Sequence, residues 1–418
     1  MYLRLTGLWR HPDFVKLWTG QTISLIGSQV TFLALPLTAV LTLNATPAQM
    51  GFLTAAGAIP SLLVGLFAGV WVDHRRRRPI LIAADMGRAA LLLLIPVAAL
   101  LGVLRVEYLY VVAFLVGTLG LFFEVAHHSF LPSLVGREQL VEGNSKLEIS
   151  DSVAEIVGPG LAGGLVQLVT APVAIAVDAI SFLISALFLG LIRTPEPAPK
   201  PPDEQQSIFV QVGEGLGLVS GNALLRAIAG SMSTVHLFNA VLEAVFVLYL
   251  TRELGIGPGM LGLIFASGSV GFLVGALLSG RVSRRLGLGS GIIGGLLLVA
   301  LSDLLIPLLS GSVAIMVRIL VLIVAQFFFG LGLTVFNIGQ VSVRQSVTPD
   351  HLQGRMNATM SFIAAGSVPL GGLLGGGLGE MIGLRPTLVL AALGEMLAVL
   401  WLIFSPMRSL HGQPVLME

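Results

Sequence analysis

The sequence predicts an all-α membrane protein whose twelve transmembrane helices form two similar six-helix bundles. Three observations lead to this prediction. Hydrophobic residues make up 55% of the 418 residues and charged residues only 11%, whereas soluble domains carry about 25% charged residues. Twelve apolar segments are long enough to cross a bilayer. Motifs of the first half also return in the second half, as Gly69 does at Gly280, 211 positions later.

Each predicted span contains the roughly 20 apolar residues that a transmembrane helix needs. The spans cover residues 13–43, 48–73, 79–102, 107–135, 139–169, 172–193, 223–253, 258–284, 288–309, 313–347, 351–382 and 386–405. Between spans six and seven lies a polar stretch whose prolines favour an extended, semi-rigid linker. We therefore predict an N-terminal bundle over 1–193, a cytoplasmic linker over 194–222 and a C-terminal bundle over 223–418.

The distribution of basic residues predicts the orientation in the membrane. With both termini inside, 19 of the 23 lysines and arginines lie on or near the cytoplasmic side, and cytoplasmic loops are the ones enriched in these residues. We expect a multi-pass protein of the inner or plasma membrane with both termini cytoplasmic. A net charge of +1 gives no reason to expect a nucleic-acid partner, and the absence of cysteine excludes disulfides and cysteine metal sites.

A basic loop separates spans two and three. Its key residues are Gly69, Asp73, Arg77 and Arg78. Four consecutive arginines, 75–78, are prohibitive in hydrocarbon, so this loop lies in water. It resembles the signature loop of the major facilitator superfamily of transporters, although His74 and Arg76 stand where an arginine and a glycine are usual. The resemblance implies a gate that closes the cytoplasmic side; the alternative is a loop that only sets topology.

Span five contains a second motif, formed by Gly158, Pro159, Gly163 and Gly164. Proline removes a backbone hydrogen bond, and glycines let a neighbouring helix approach closely. The motif is similar to the one that marks antiporters in the superfamily, where it bends the helix at the interface between the halves. The alternative is a kink that only improves packing. Pro369 with Gly371 and Gly372 repeats the pattern in the second half, so the resemblance extends over nearly the whole chain.

Ionisable residues within the spans are the candidates for proton coupling. They are Glu124, His127 and His128 in span four, Glu155 in span five and Glu243 in span seven. Residues 124, 127 and 128 have the spacing of one helical face. Loss of hydration at mid-membrane depth favours the protonated form of a carboxyl group, and histidine can pass the proton on. The alternative is a Glu124 that only bonds a neighbouring helix. This set falls short of a convincing metal site.

In the superfamily, spans one, four, seven and ten line the central cavity. The resemblance therefore implies substrate contacts from polar and aromatic residues of spans one, seven and ten. The candidates are Gln21, Ser24, Ser28, His236, Asn239, Gln326, Thr334, Phe336 and Asn337. The alternative for Phe336 is a phenylalanine that only packs against other helices or faces lipid. Asp178, Asp303 and Glu395 lie on peripheral spans, where we expect structural pairs.

These features predict a transporter resembling the drug and macrolide efflux branch of the superfamily, which expels amphiphilic small molecules in exchange for protons. No phosphate-binding loop is present, so ATP drive is unsupported and no cofactor is expected. The partners are a small amphiphilic substrate, protons and the lipid bilayer, and we expect a monomer. The alternatives within transport are a specific siderophore exporter and a lysophospholipid flippase. A membrane-embedded enzyme is a further alternative, and the twofold repeat argues against it.

Overall fold

The computed structural model of the chain describes residues 7–196, 208–410 and 412, apart from the side chains at 66, 70, 73, 137 and 208–212. Thirteen α-helices lie in this described part: α1 Pro12–Leu37, α2 Pro47–Asp73, α3 Arg77–Leu100, α4 Val106–Val135, α5 Leu140–Val169, α6 Ala171–Gly190, α7 Ile208–Gly221, α8 Ala223–Leu248, α9 Pro258–Leu286, α10 Leu288–Leu305, α11 Ile315–Ser346, α12 Gln353–Ile382 and α13 Leu384–Ile403. All except α7 contain segments long and apolar enough to cross a membrane. Each predicted span coincides with one of these twelve helices, so the predicted all-α membrane fold is confirmed.

The chain divides into two compact units. Unit 1 comprises residues 1–44 and 60–205, and unit 2 comprises residues 45–59 and 206–418. The division falls inside α2, whose first half therefore belongs with unit 2. The domain boundaries at 193 and 222 stay a prediction.

The two units repeat the same order of helix packing. In unit 1, α1 packs against α5 and α6, and α3 packs against α4 and α6. In unit 2, α8 packs against α12 and α13, and α10 packs against α11 and α13. The core of unit 1 includes Phe14, Leu81 and Phe130, and that of unit 2 includes Leu296 and Phe336. These four helix pairs of unit 1 thus have counterparts in unit 2.

Backbone irregularities repeat at the same spacing as the sequence motifs. A π-helical turn follows α1 at Thr38–Thr42, and another follows α8 at Tyr249–Glu253, 211 positions later. Asn44 and Gly255, which are also 211 positions apart, have left-handed φ angles of 52° and 64°. Since π turns are rare in proteins, two of them at equivalent positions support an internal repeat.

Helix α7 lies within the predicted linker and packs against α8 and α12 of unit 2. Glu214 of α7 forms an ion pair with Arg355 of α12. Helix α8 begins after Asn222, whose side-chain oxygen accepts hydrogen bonds from the backbone N–H groups of Leu224 and Leu225 at 2.9 and 3.2 Å. This N-cap satisfies two of the free donors at the helix start. The chain therefore turns from α7 into α8 at a defined position.

The first half of α2 packs on α12 through glycines, within unit 2. A Cβ atom added to Gly51 would lie 2.4 Å from the carbonyl oxygen of Gly372 and 2.8 Å from the Cα atom of Gly376. A Cβ atom on Gly376 would in turn lie 2.8 Å from the Cα atom of Gly51. No larger residue fits at this contact without a shift of the backbone, so glycine allows the two helices to approach this closely.

Candidate functional site

The basic loop ties the start of α3 to the end of α6 inside unit 1. Glu196 accepts hydrogen bonds from the backbone N–H groups of Arg77 and Arg78, and its carboxylate stabilises the helix N-terminus. The guanidinium group of Arg78 donates to the carbonyl oxygens of Leu189 at 2.9 Å and Gly190 at 2.5 Å. Glu196 therefore satisfies free N–H groups at the start of α3, and Arg78 satisfies free carbonyl groups at the end of α6.

The rest of the predicted gating motif lies on α2. Gly69 lies in the last part of this helix, and Asp73 is its final residue. The side chain of Asp73 is outside the described residues, and the gating role of the motif stays a prediction. Next to it, the guanidinium group of Arg75 lies 4.7 Å from the ring centre of Trp71.

The glycine–proline motif lies in the middle of α5. Gly158, Pro159 and Gly163 are buried, while Gly164 has open space on the side of a Cβ atom. A Cβ atom on Gly158 would lie 2.4 Å from the Cβ atom of Gln29 on α1. The absence of a side chain at Gly158 therefore sets the close contact between α1 and α5.

Acidic side chains of α4 and α5 come together in unit 1. Glu124 and His128 of α4 are exposed, as are Glu148 and Glu155 of α5, while Asp151 is partly buried. The Asp151 carboxyl group lies close enough to Glu124, His128 and Glu148 for direct electrostatic interaction. Glu155 interacts in the same way with Asp151 and Glu148. We call these five residues the α4–α5 acidic face.

His127 lies beside this face, with its ring centre 6.1 Å from that of His128, but is not exposed on it. Its ring is buried and stacks on Phe123 with ring centres 5.9 Å apart. Residues 127 and 128 are adjacent, so their side chains point about 100° apart around the helix. One of the two histidines therefore packs into the core while His128 stays with Glu124. The sequence spacing alone did not separate them.

No lysine or arginine among the described side chains forms an ion pair with the α4–α5 acidic face. The ion pairs in that part of the chain involve other residues. Within the described residues, no three histidine or acidic side chains are grouped as metal ligands. The face can therefore hold protons or a cationic organic group.

The candidates for substrate contact differ in accessibility. On α1, Ser24 is buried and Gln21 and Ser28 are partly exposed. On α8, Glu243 is exposed, His236 is partly exposed, and the Asn239 amide reaches Glu395 of α13. Asn239 therefore contributes to the interior of unit 2.

On α11, three of the four candidates make packing contacts. Gln326 packs at Gly268 of α9, and a Cβ atom on Gly275 of α9 would lie 2.9 Å from the Thr334 Cβ atom. Phe336 belongs to the hydrophobic core of unit 2. Asn337 alone of the four is exposed. The face of α11 that carries the first three therefore points into unit 2, because α9 and α10 pack against it.

An ionic cluster in unit 1 was not predicted as such. Arg88 pairs with Asp85 on α3, and its guanidinium group lies 4.4 Å from the ring centre of Phe123 and 4.0 Å from that of Phe182. Asp178 of α6 accepts hydrogen bonds from the hydroxyl groups of Thr31 at 2.5 Å and Ser181 at 3.0 Å. We call Asp85, Arg88 and Asp178 the Arg88 cluster. Charged residues three apart in an apolar span were the signal for it.

Comparison with known proteins identifies the family. Residues 7–415 match the family model described as transmembrane secretion effector. The chain belongs to this family of major facilitator transporters. It is 27% identical over 410 residues to the multidrug efflux pump Tap of Mycolicibacterium fortuitum, an alignment that covers 96% of this chain and 97% of Tap. It is 24% identical over 378 residues to macrolide efflux protein A of Streptococcus pyogenes, covering 89% and 90%.

Solved structures share the fold at lower identity. The nucleoside transporter NupG has a TM-score of 0.75 at 13% identity, covering 94% of this chain and 98% of NupG. A bacterial homologue of the iron transporter ferroportin, in its inward-facing state, has a TM-score of 0.75 at 18% identity, covering 95% and 99%. The family match and the two efflux-pump relatives confirm the resemblance to the drug and macrolide efflux branch. The chain is a multi-pass inner-membrane transporter of small molecules and not an enzyme.

Proposed function

We propose that this transporter exports amphiphilic, weakly basic small molecules in exchange for protons. The α4–α5 acidic face carries this proposal, because it places four carboxyl groups and a histidine together without an ion pair to lysine or arginine among the described side chains. The chain's relatives Tap and macrolide efflux protein A are efflux pumps by name. These names support export of drug-like compounds as the direction and substrate class.

Competition between protons and substrate at this face would couple the two. Ionised carboxyl groups without counter-charge cost several kcal/mol when water is excluded from them. A proton on Glu124, or the positive charge of a substrate beside it, removes that cost. Either a proton or a substrate therefore permits the site around Glu124 to close. Because one carboxyl group cannot interact fully with both at once, each displaces the other. This is the condition for exchange.

We further propose alternating access between two bundles, which are 1–193 and 223–418 with the linker 194–222 between them. The repeated packing order and the repeated π turns support a twofold design of this kind. The excess of basic residues on one side supports cytoplasmic termini. A transporter built in this way needs no partner subunit, and we propose that it works as a monomer.

The test is transport by the purified protein in proteoliposomes. Vesicles with an imposed pH gradient receive a panel of fluorescent dyes, macrolides, siderophores and lysophospholipids. We expect uphill movement of weakly basic dyes or macrolides, opposite in direction to the proton flux, and its loss when an ionophore collapses the gradient. Transport of only the siderophores or only the lysophospholipids would reject the proposed substrate class. Uphill transport that persists without a gradient would reject proton exchange.

A further inference from the structure

A pair of carboxyl groups is buried inside unit 2, away from the α4–α5 acidic face. Asp303 of α10 and Glu395 of α13 are 1% and 0% exposed. Their carboxyl groups are close enough to interact directly with each other, and the Asn239 amide of α8 approaches Glu395. Helix α13 packs against both α8 and α10. We call these two residues the buried acid pair.

The buried acid pair has oxygens without a donor. Both carboxyl oxygens of Glu395 and the Oδ2 atom of Asp303 are buried, and within the described residues none of them forms a hydrogen bond of normal length, since the Asn239 amide only approaches Glu395. Two carboxylates offer only acceptors, so their contact becomes a hydrogen bond only when one of them carries a proton. A buried acceptor left unpaired costs free energy. The contact itself therefore requires a proton.

No basic side chain among the described residues forms an ion pair with either acid. The charged group of α8 that acts on Asp303 is Glu243, another acid. His236 is the other titratable residue in the middle of α8, and it is partly exposed. The remaining charged residues on the elements packed against the pair lie towards helix ends: Arg226, Arg252, Glu253, Arg281, Arg284, Arg285, Arg318, Arg344, Arg355, Glu380, Arg385 and Arg408. Several of these have partners elsewhere, since Arg385 donates to the carbonyl oxygen of Pro307 at 2.6 Å and Arg344 lies 3.4 Å from Asn357 Oδ1.

In unit 1, an arginine compensates the charge of the buried acids. The Arg88 cluster lies between α1, α3 and α6, which correspond to α8, α10 and α13. There, Arg88 pairs with Asp85, and two hydroxyl groups donate to Asp178. The equivalent interior of unit 2 has two interacting acids with an amide nearby, and no arginine of the described part forms an ion pair with them. A proton is then the simplest cation that balances the buried charge.

We propose that Asp303 and Glu395 form a proton-binding site in which the two carboxyl groups share one bound proton. Two carboxylates in contact in a dry interior cannot both be ionised without large repulsion, so one stays protonated at neutral pH. Within the described residues, no three such ligands are grouped as a divalent metal would need. The site is distinct from the α4–α5 acidic face and does not depend on which substrate is transported.

Infrared spectroscopy of the purified protein in lipid at pH 7.5 tests this site directly. A protonated carboxyl group has a carbonyl-stretch band that carboxylates lack and that shifts in heavy water. We expect Asp303→Asn and Glu395→Gln each to lose the band of one protonated carboxyl group, because the new amide donates to the remaining carboxylate. Both amides resemble the neutral acid in shape, so both variants should fold, which size-exclusion chromatography checks.

Glu243→Gln and Asp178→Asn are the matched controls, since each removes a nearby or equivalent acid outside the pair. The band assigned to the pair should remain in both. A spectrum unchanged in both Asp303→Asn and Glu395→Gln would overturn the proposal. Loss of the band on adding sodium ions at constant pH would also overturn it, because the site would then bind a metal cation in place of the proton.

Discussion

The Arg88 cluster gives the sharpest prediction on stability. Arg88 is 8% exposed, and Asp85 and Asp178 are 0% and 1% exposed. Replacing Arg88 by methionine keeps much of the side-chain volume but leaves two buried acids without their cation. Removing one partner of a buried ion pair costs about 3–5 kcal/mol, and the lost contacts to Phe123 and Phe182 add to that cost. We therefore expect a fall of at least about a hundredfold in the folded-to-unfolded ratio.

The assay is reversible unfolding in mixed micelles of a mild detergent and dodecyl sulfate. Arg105→Met, at an exposed arginine before α4, is the control and should change the unfolding free energy by less than about 0.5 kcal/mol. Adding Asp85→Asn to Arg88→Met should recover part of the loss, since it removes one uncompensated charge. Arg88→Met as stable as the control, or a double variant no more stable than Arg88→Met, would refute the charge-balance reasoning.

Three further predictions concern the motifs. Gly376→Leu should destabilise the protein by about 1–3 kcal/mol in the same unfolding assay, because the new Cβ atom meets the α2 backbone. The control Gly377→Leu, at an open position, should be nearly neutral. Equal destabilisation by the two substitutions would contradict this prediction. Pro159→Ala should straighten α5 and increase proton leak or abolish exchange in proteoliposomes; the same result for the exposed Pro132→Ala on α4 would show a general proline effect. Asp73→Asn should reduce transport with normal membrane insertion, and undiminished transport would leave the loop only a topological role.

The sequence was sufficient to predict the spans because their signal is local. A run of about 20 apolar residues is needed to cross a bilayer, and that run is read directly along the chain. Span ends were also marked locally, for example by the arginines before α3 and by Gly383 before α13. The repeat was predictable because Gly69 and Gly280 begin similar stretches. The π turns at residues 38–42 and 249–253 left no such mark in the sequence.

The face that each helix turns towards its neighbours was harder to predict. His127 and His128 are adjacent on α4, and only the packing against Phe123 shows that one is buried. Phe336 looked suited to a substrate cavity but lies in the core of unit 2 because α10 packs over it. Long-range pairings such as Thr31 with Asp178, or Asp303 with Glu395, join helices far apart in the chain. Helical spacing within one span carries no information on such partners.

Proton-driven export through Glu124 is the central claim, and it is tested most directly by uphill transport of the Glu124→Gln variant. Glutamine mimics the protonated acid permanently, so the cost of closing the empty site no longer depends on a proton. In proteoliposomes with an imposed pH gradient, we expect this variant to lose uphill accumulation of substrate, while Glu107→Gln at the exposed first turn of α4 transports like the parent. A Glu124→Gln variant that still concentrates substrate with the parent's pH dependence would contradict the claim.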